Sequence, residues 1–93
     1  MALYRKSPRA RVDYQVDWAP GLGGAKLRES RWRVEPDEPG GVALSSAARV
    51  GRVTAATLEG GVDGRCYRIV NEVTAGDGRT AARTLTLRIE DGA

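Results

Sequence analysis

The sequence predicts an all-β protein, a two-sheet sandwich of six or seven antiparallel strands, and three observations carry that prediction. Apolar and polar residues alternate at period two in several separate runs of the 93-residue chain. Turn signals built from Gly, Pro and Asp recur between those runs at regular spacing. The third observation is the stretch from Leu58 to Asn71, where Gly60, Gly61 and Gly64 bend the backbone between two strands and Tyr67 follows three residues later. A tyrosine so placed puts its ring in the core and bonds its hydroxyl back to the turn. That device, the tyrosine corner, marks immunoglobulin-like Greek-key sandwiches.

Residues 1–11 contain Arg5, Lys6, Arg9 and Arg11, one proline and no acid. Four like charges favour a solvated, extended chain, so this segment reads as a basic N-terminal arm, with residues 12–93 as the single sandwich domain. Val12, Tyr14, Val16 and Trp18 then share one face of a strand, with Asp13, Gln15 and Asp17 on the other. The run Pro20-Gly21-Leu22-Gly23-Gly24 is a turn signal. In the next strand, through about Val34, Ser30, Trp32 and Val34 share a face while Leu27 has the opposite parity. A β-bulge between 27 and 30, or burial of Leu27 at the sheet edge, reconciles them. If this strand paired with the first, Arg31 and Arg33 would face Asp13 and Asp17 in cross-strand pairs worth about 0.2–1 kcal/mol each.

The acidic, Pro- and Gly-rich stretch 35–41 cannot be a central strand and reads as a loop. Residues 42–45 suit a short edge strand, 52–58 a strand of mixed parity, and 65–74 the strand carrying Tyr67. Asp77-Gly78 centres a hairpin turn. The final strand, about 80–90, turns Leu85, Leu87 and Ile89 inward. No segment reads as a helix.

The apolar fraction is 41%, without phenylalanine, so the core rests on Val, Leu and Ile around Trp18, Trp32 and Tyr67. A domain this small gains from a partner's support. There is no histidine, which removes the commonest general base and metal ligand. The lone Cys66 has no partner for a disulfide, a zinc site or a nucleophilic pair, and reads as a semi-buried filler opposite Tyr67. Gly21-Leu22-Gly23-Gly24 lacks the Lys-Ser/Thr and the helix of a phosphate loop. No catalytic, cofactor or metal residue is therefore assigned, and an enzyme is not expected. No apolar run has the length of a membrane span, and the first residues lack the apolar segment of a signal peptide, so a protein kept in the cytoplasm is expected. Beyond the arm the cations are interleaved with acids and no aromatic RNA-reading motif occurs, which argues against nucleic-acid binding.

The order of motifs is Asp17-Trp18, Leu22-Gly23, Leu27-x-x-Ser30-x-Trp32-x-Val34, Leu58-x-Gly60-Gly61-x-x-Gly64-x-x-Tyr67-x-Ile69-x-Asn71-x-Val73-Thr74 and Gly78-Arg79-Thr80. In this order the chain resembles, over about residues 12–90, a family of small tailed-phage structural proteins described as fiber–tail adaptor or tail-associated virion proteins. It departs at Gly24-Ala25-Lys26, where an acidic and a small polar residue are expected before Leu27. The resemblance implies a non-enzymatic virion component of the tail or neck, assembled in the bacterial host cytoplasm. It also implies contacts with other phage virion proteins in a ring or collar of copies. Leu3, Tyr4, Arg5, Lys6, Arg9 and Arg11 are then the candidate partner-binding residues, two apolar anchors and four cations for a neighbour's carboxylates. The alternative is a carbohydrate- or receptor-binding module, which needs exposed aromatic faces. Trp18 and Trp32 both fall on apolar faces, which favours the core for both.

Overall fold

The computed structural model describes residues 2–92. It contains β1 (Ala2–Lys6), β2 (Val12–Asp17), a one-turn helix α1 (Ala19–Leu22), β3 (Leu27–Glu35), β4 (Ala43–Val50), β5 (Val53–Glu59), β6 (Cys66–Ala75) and β7 (Thr80–Ile89). The strands form two sheets, in the orders β1-β7-β6-β3 and β2-β5-β4, and the sheets pack as an all-β sandwich. The expected fold class holds, with one change of sense: β1 runs parallel to β7, while the other pairings are antiparallel.

Period-two patterning decides what lies between the sheets. Tyr67, Ile69 and Val73 of β6 and Leu85, Leu87 and Ile89 of β7 are fully or almost fully buried, as is Leu58 of β5. Val16, Trp18, Leu22, Val73 and Ala75 make a second cluster at the other end of the sandwich. Tyr14 and Trp32 are half-buried and touch both clusters, their rings meeting edge to face at 6.0 Å and 80°. Leu27 does differ in parity because the β3–β6 register shifts between Leu27 and Glu29, the expected bulge.

Four expectations are corrected. Greek-key connection sends β3 to β6 and β2 to β5, so Arg31 pairs with Glu72 at 2.6 Å and with Glu29 at 2.8 Å, while Asp13 accepts a hydrogen bond from Thr57. The edge strand expected at 42–45 runs on to Val50, because β5 pairs with it over that whole length. Cys66 is exposed, since it stands on the outer face of sheet β1-β7-β6-β3. The turn at 20–24 contains the short helix α1, with Pro20 in its first turn and Gly23 closing it in the left-handed conformation at φ 57°.

The crossing before β6 is built as expected. Tyr67 Oη accepts a hydrogen bond from the Val62 N–H at 3.1 Å and donates one to Glu38 Oε1 at 2.6 Å. Gly61, at φ 115°, lies against Ile89; a Cβ there would stand 2.6 Å from the Ile89 side chain. Removing the hydroxyl in Tyr67→Phe is expected to cost about 1–2 kcal/mol, because the Val62 N–H is left unsatisfied. Burial, and then the bond to Glu38, hold the phenol pKa above its usual 10.0. A raised pKa favours the protonated phenol in the folded state, so this contribution is complete below the unfolded value and is lost as pH rises through the folded one. Urea midpoints should therefore separate wild type and Tyr67→Phe at about pH 8 and draw together as the pH is raised past the usual phenol value of 10.0. Equal midpoints at the lower pH would dismiss the corner.

Candidate partner-binding surface

The two sheets meet imperfectly at their outer strands, and on one side those strands are β1 and β2. The chain places β1 there because β7 would otherwise be an open, largely apolar edge. In the parallel register Ala2 lies beside Leu85, Tyr4 beside Leu87 and Lys6 beside Ile89. Tyr4 and Lys6 share a parity and face inward. The Tyr4 ring sits 6.0 Å from that of Tyr14, over a slot of about 130 Å³ lined by Val12, Leu58, Leu85 and Leu87. Burial, then the neighbouring Tyr4, push the Tyr14 phenol above its usual pKa, while Arg83 opposes them.

Lys6 corrects its assignment as an exposed partner-binding cation. It is 2% exposed, and its ammonium donates to the carbonyls of Ser7 at 2.8 Å and Gly60 at 2.5 Å. Burial lowers its pKa, and the Glu59 carboxylate works against that shift. The four-carbon stem fills space between strands while the head reaches the Gly60 carbonyl just past β5 and the Ser7 carbonyl, which also accepts from the Ala10 N–H. Residues 2–6 are thus an edge strand of the sandwich, where a free arm was expected.

The other candidates remain at the surface. Leu3 is 62% exposed and Tyr4 49%. Arg5 lies 3.8 Å from Glu90, and Arg11 is bonded to Glu59. These pairs with β5 and the end of β7 remove the like-charge repulsion expected of the segment. The Arg9 guanidinium has no ionic partner among the described residues. Of the core candidates, Trp18 and Tyr67 are buried, and Trp32 is only half-buried.

A buried polar cluster escaped the sequence reading. The Trp18 indole N–H donates to Thr54 Oγ1 and Asn71 Oδ1, both at 3.0 Å, and Thr54 donates to Asn71 at 2.6 Å. Asn71 Nδ2 in turn donates to Ser30 Oγ and the Arg31 carbonyl, each at 3.0 Å. The signal was Asn71 itself, a polar residue at the inward parity of Tyr67, Ile69 and Val73. The cluster ties both sheets together and its Trp18, Thr54 and Asn71 side chains are buried, so its work is structural. Among the described residues no group of three His, Cys, Asp or Glu side chains is placed to hold a metal ion.

Over residues 6–88 the sequence matches the family described as podophage GP4 fiber-tail adaptor protein gp77. The chain belongs to that family. It is accordingly a structural component of a phage virion that joins other tail proteins. The match spans β2 to β6 and most of β7, and it begins at the buried Lys6. The exposed apolar residues Leu3 and Tyr4 therefore lie just outside the matched span. No curated protein matches the chain.

Proposed function

We propose that this adaptor acts without catalysis, through protein–protein contacts, as one of several copies in a ring or collar at the tail or neck, assembled in the host cytoplasm. The sandwich is read as immunoglobulin-like: β3-β6-β7 and β2-β5-β4 pair in the order of the C-F-G and B-E-D strands of that fold, with Tyr67 at the corner. The partner surface is the β1 edge, through Leu3, Tyr4, Arg5, Arg9 and Arg11. One observation carries this reading. A strand with a free side presents two large apolar residues to solvent, beside an apolar slot and cations that a neighbour's carboxylates fit. A sugar platform finds less support, since Trp18 is 4% exposed and its indole N–H is already bonded.

The test is Leu3→Asp combined with Arg9→Glu, two exposed side chains whose change should alter stability by no more than about 0.5 kcal/mol each. The variant is expected to melt with the wild type yet be absent from purified virions. Val62→Asp, an equally polar change at another exposed position, should be incorporated normally. Normal incorporation of the double variant would remove the β1 edge as the partner surface.

A further inference from the structure

The sandwich is also open on its opposite side, between β3 and β4. There the strands leave a groove of about 390 Å³ whose lining includes Arg28, Arg31, Trp32, Ala47 and Arg49. Ala47 lies opposite buried Ala56 and Arg49 opposite buried Thr54, so both share the inward parity of β5. A methyl group and an arginine thus stand where a sandwich ordinarily packs Val, Leu or Ile. Every residue from Ser45 to Val50 is exposed, and Val50 reaches 80%. Half-buried Trp32 closes the groove from the β3 side.

The backbone of β4 is also available, since β5 pairs with one side of it. Proteins usually blunt such edges with charges, prolines or bulges. Here the register shift lies between Leu44 and Ser46, and residues 46–50 run regularly, with Arg49 their one charge. The lining holds three arginines against one acid, Glu29. Arg31 is paired with Glu29 and Glu72, whereas Arg28 and Arg49 have no acidic partner among the described residues. A second copy offering its β1 edge would set Arg5 and Arg9 against these arginines.

We infer that the β3–β4 groove docks an acidic, extended segment of a neighbouring virion protein, which adds a strand to β4. Alternate side chains of that segment pack on Trp32 and Ala47, and its carboxylates meet Arg28 and Arg49. The inference rests on the adaptor reading and deepens it, giving the protein a second contact face across the sandwich from β1.

The full chain is titrated with a capped peptide of roughly ten residues alternating Glu and Val, the upper end of usual strand lengths. Hydrogen exchange and tryptophan fluorescence follow the binding. Slowed exchange at residues 46–50 is expected, with an affinity that weakens as salt is raised. Arg49→Glu should weaken binding about tenfold or more. Ala47→Trp, which fills the groove without removing any contact, should abolish the protection while the domain stays folded. The proposal is overturned if a control peptide of equal length alternating Lys and Val binds as well, or if neither peptide protects β4. It is equally overturned if an oligosaccharide alone changes the fluorescence, or if β4 is protected by self-association of the chain. Because the isolated chain is measured, failure here leaves the virion test of the β1 edge standing, and failure there leaves this one standing.

Discussion

Trp18→Ala is expected to leave most of the chain unfolded near physiological temperature. The side chain is 4% exposed, Arg83 lies over its ring at 5.4 Å, and its indole N–H serves two buried acceptors. Truncating a buried tryptophan costs about 3–5 kcal/mol through lost burial and the cavity left behind. Weakening the hydrogen bonding of Thr54 and Asn71, both fully buried, adds roughly 1–3 kcal/mol. Small domains hold about 5–15 kcal/mol in total, and a core without phenylalanine places this one toward the lower end. Circular dichroism melts of the two proteins give the comparison. A transition within about 5 °C of the wild type, the shift that ~1 kcal/mol produces in a domain this size, would show that the cluster is not a keystone. Trp32 is not equivalent, although sequence parity treats the two tryptophans alike. It stands half-buried beside the open groove, so less surface is at stake.

Deleting residues 1–9 is expected to destabilise the isolated domain as well. The deletion takes away the Lys6 stem, the Tyr4 ring over its slot, and the ladder along β7. Burial of that apolar surface is worth about 2 kcal/mol. A loss of this size lowers the melting temperature by roughly 8–16 °C in a domain of about this length. An unchanged melting temperature would return residues 1–11 to the role of a detachable arm. The double substitution Leu3→Asp and Arg9→Glu separates this structural contribution from partner binding, because it alters outward side chains and keeps the strand.

The parts of the fold that follow from local pattern were legible. Four matches to period two gave β2, the parity change between Leu27 and Ser30 gave the bulge, and Gly60, Gly61, Gly64 and Tyr67 gave the crossing with its hydroxyl bond. Pairing partners were not legible, because they depend on chain reversal over long separations. Neighbouring strands were paired to explain Arg31 and Arg33, yet Arg31 finds its acid at Glu72. The stretch Ser45-Ser46-Ala47-Ala48 carries no alternation and little strand preference, and pairing with β5 imposes the conformation. For the candidate surface, Leu3 and Tyr4 were identified as exposed apolar residues. The β1 ladder was missed because two adjacent cations read as solvated, and nothing local marks Lys6 as a residue that snorkels to carbonyls across a crossing.

The parallel sense of β1 and β7 has a mechanical consequence. Both strands run the same way side by side, Ala2 to Lys6 along Leu85 to Ile89. Tension applied between the start of β1 and the end of β7 therefore drags the two strands past each other along their length. In that shear geometry the rungs of the ladder share the load at once, whereas an antiparallel hairpin pulled at its open end gives way rung by rung. Any partner that pulled on the chain through those two strand ends would load this seam in shear.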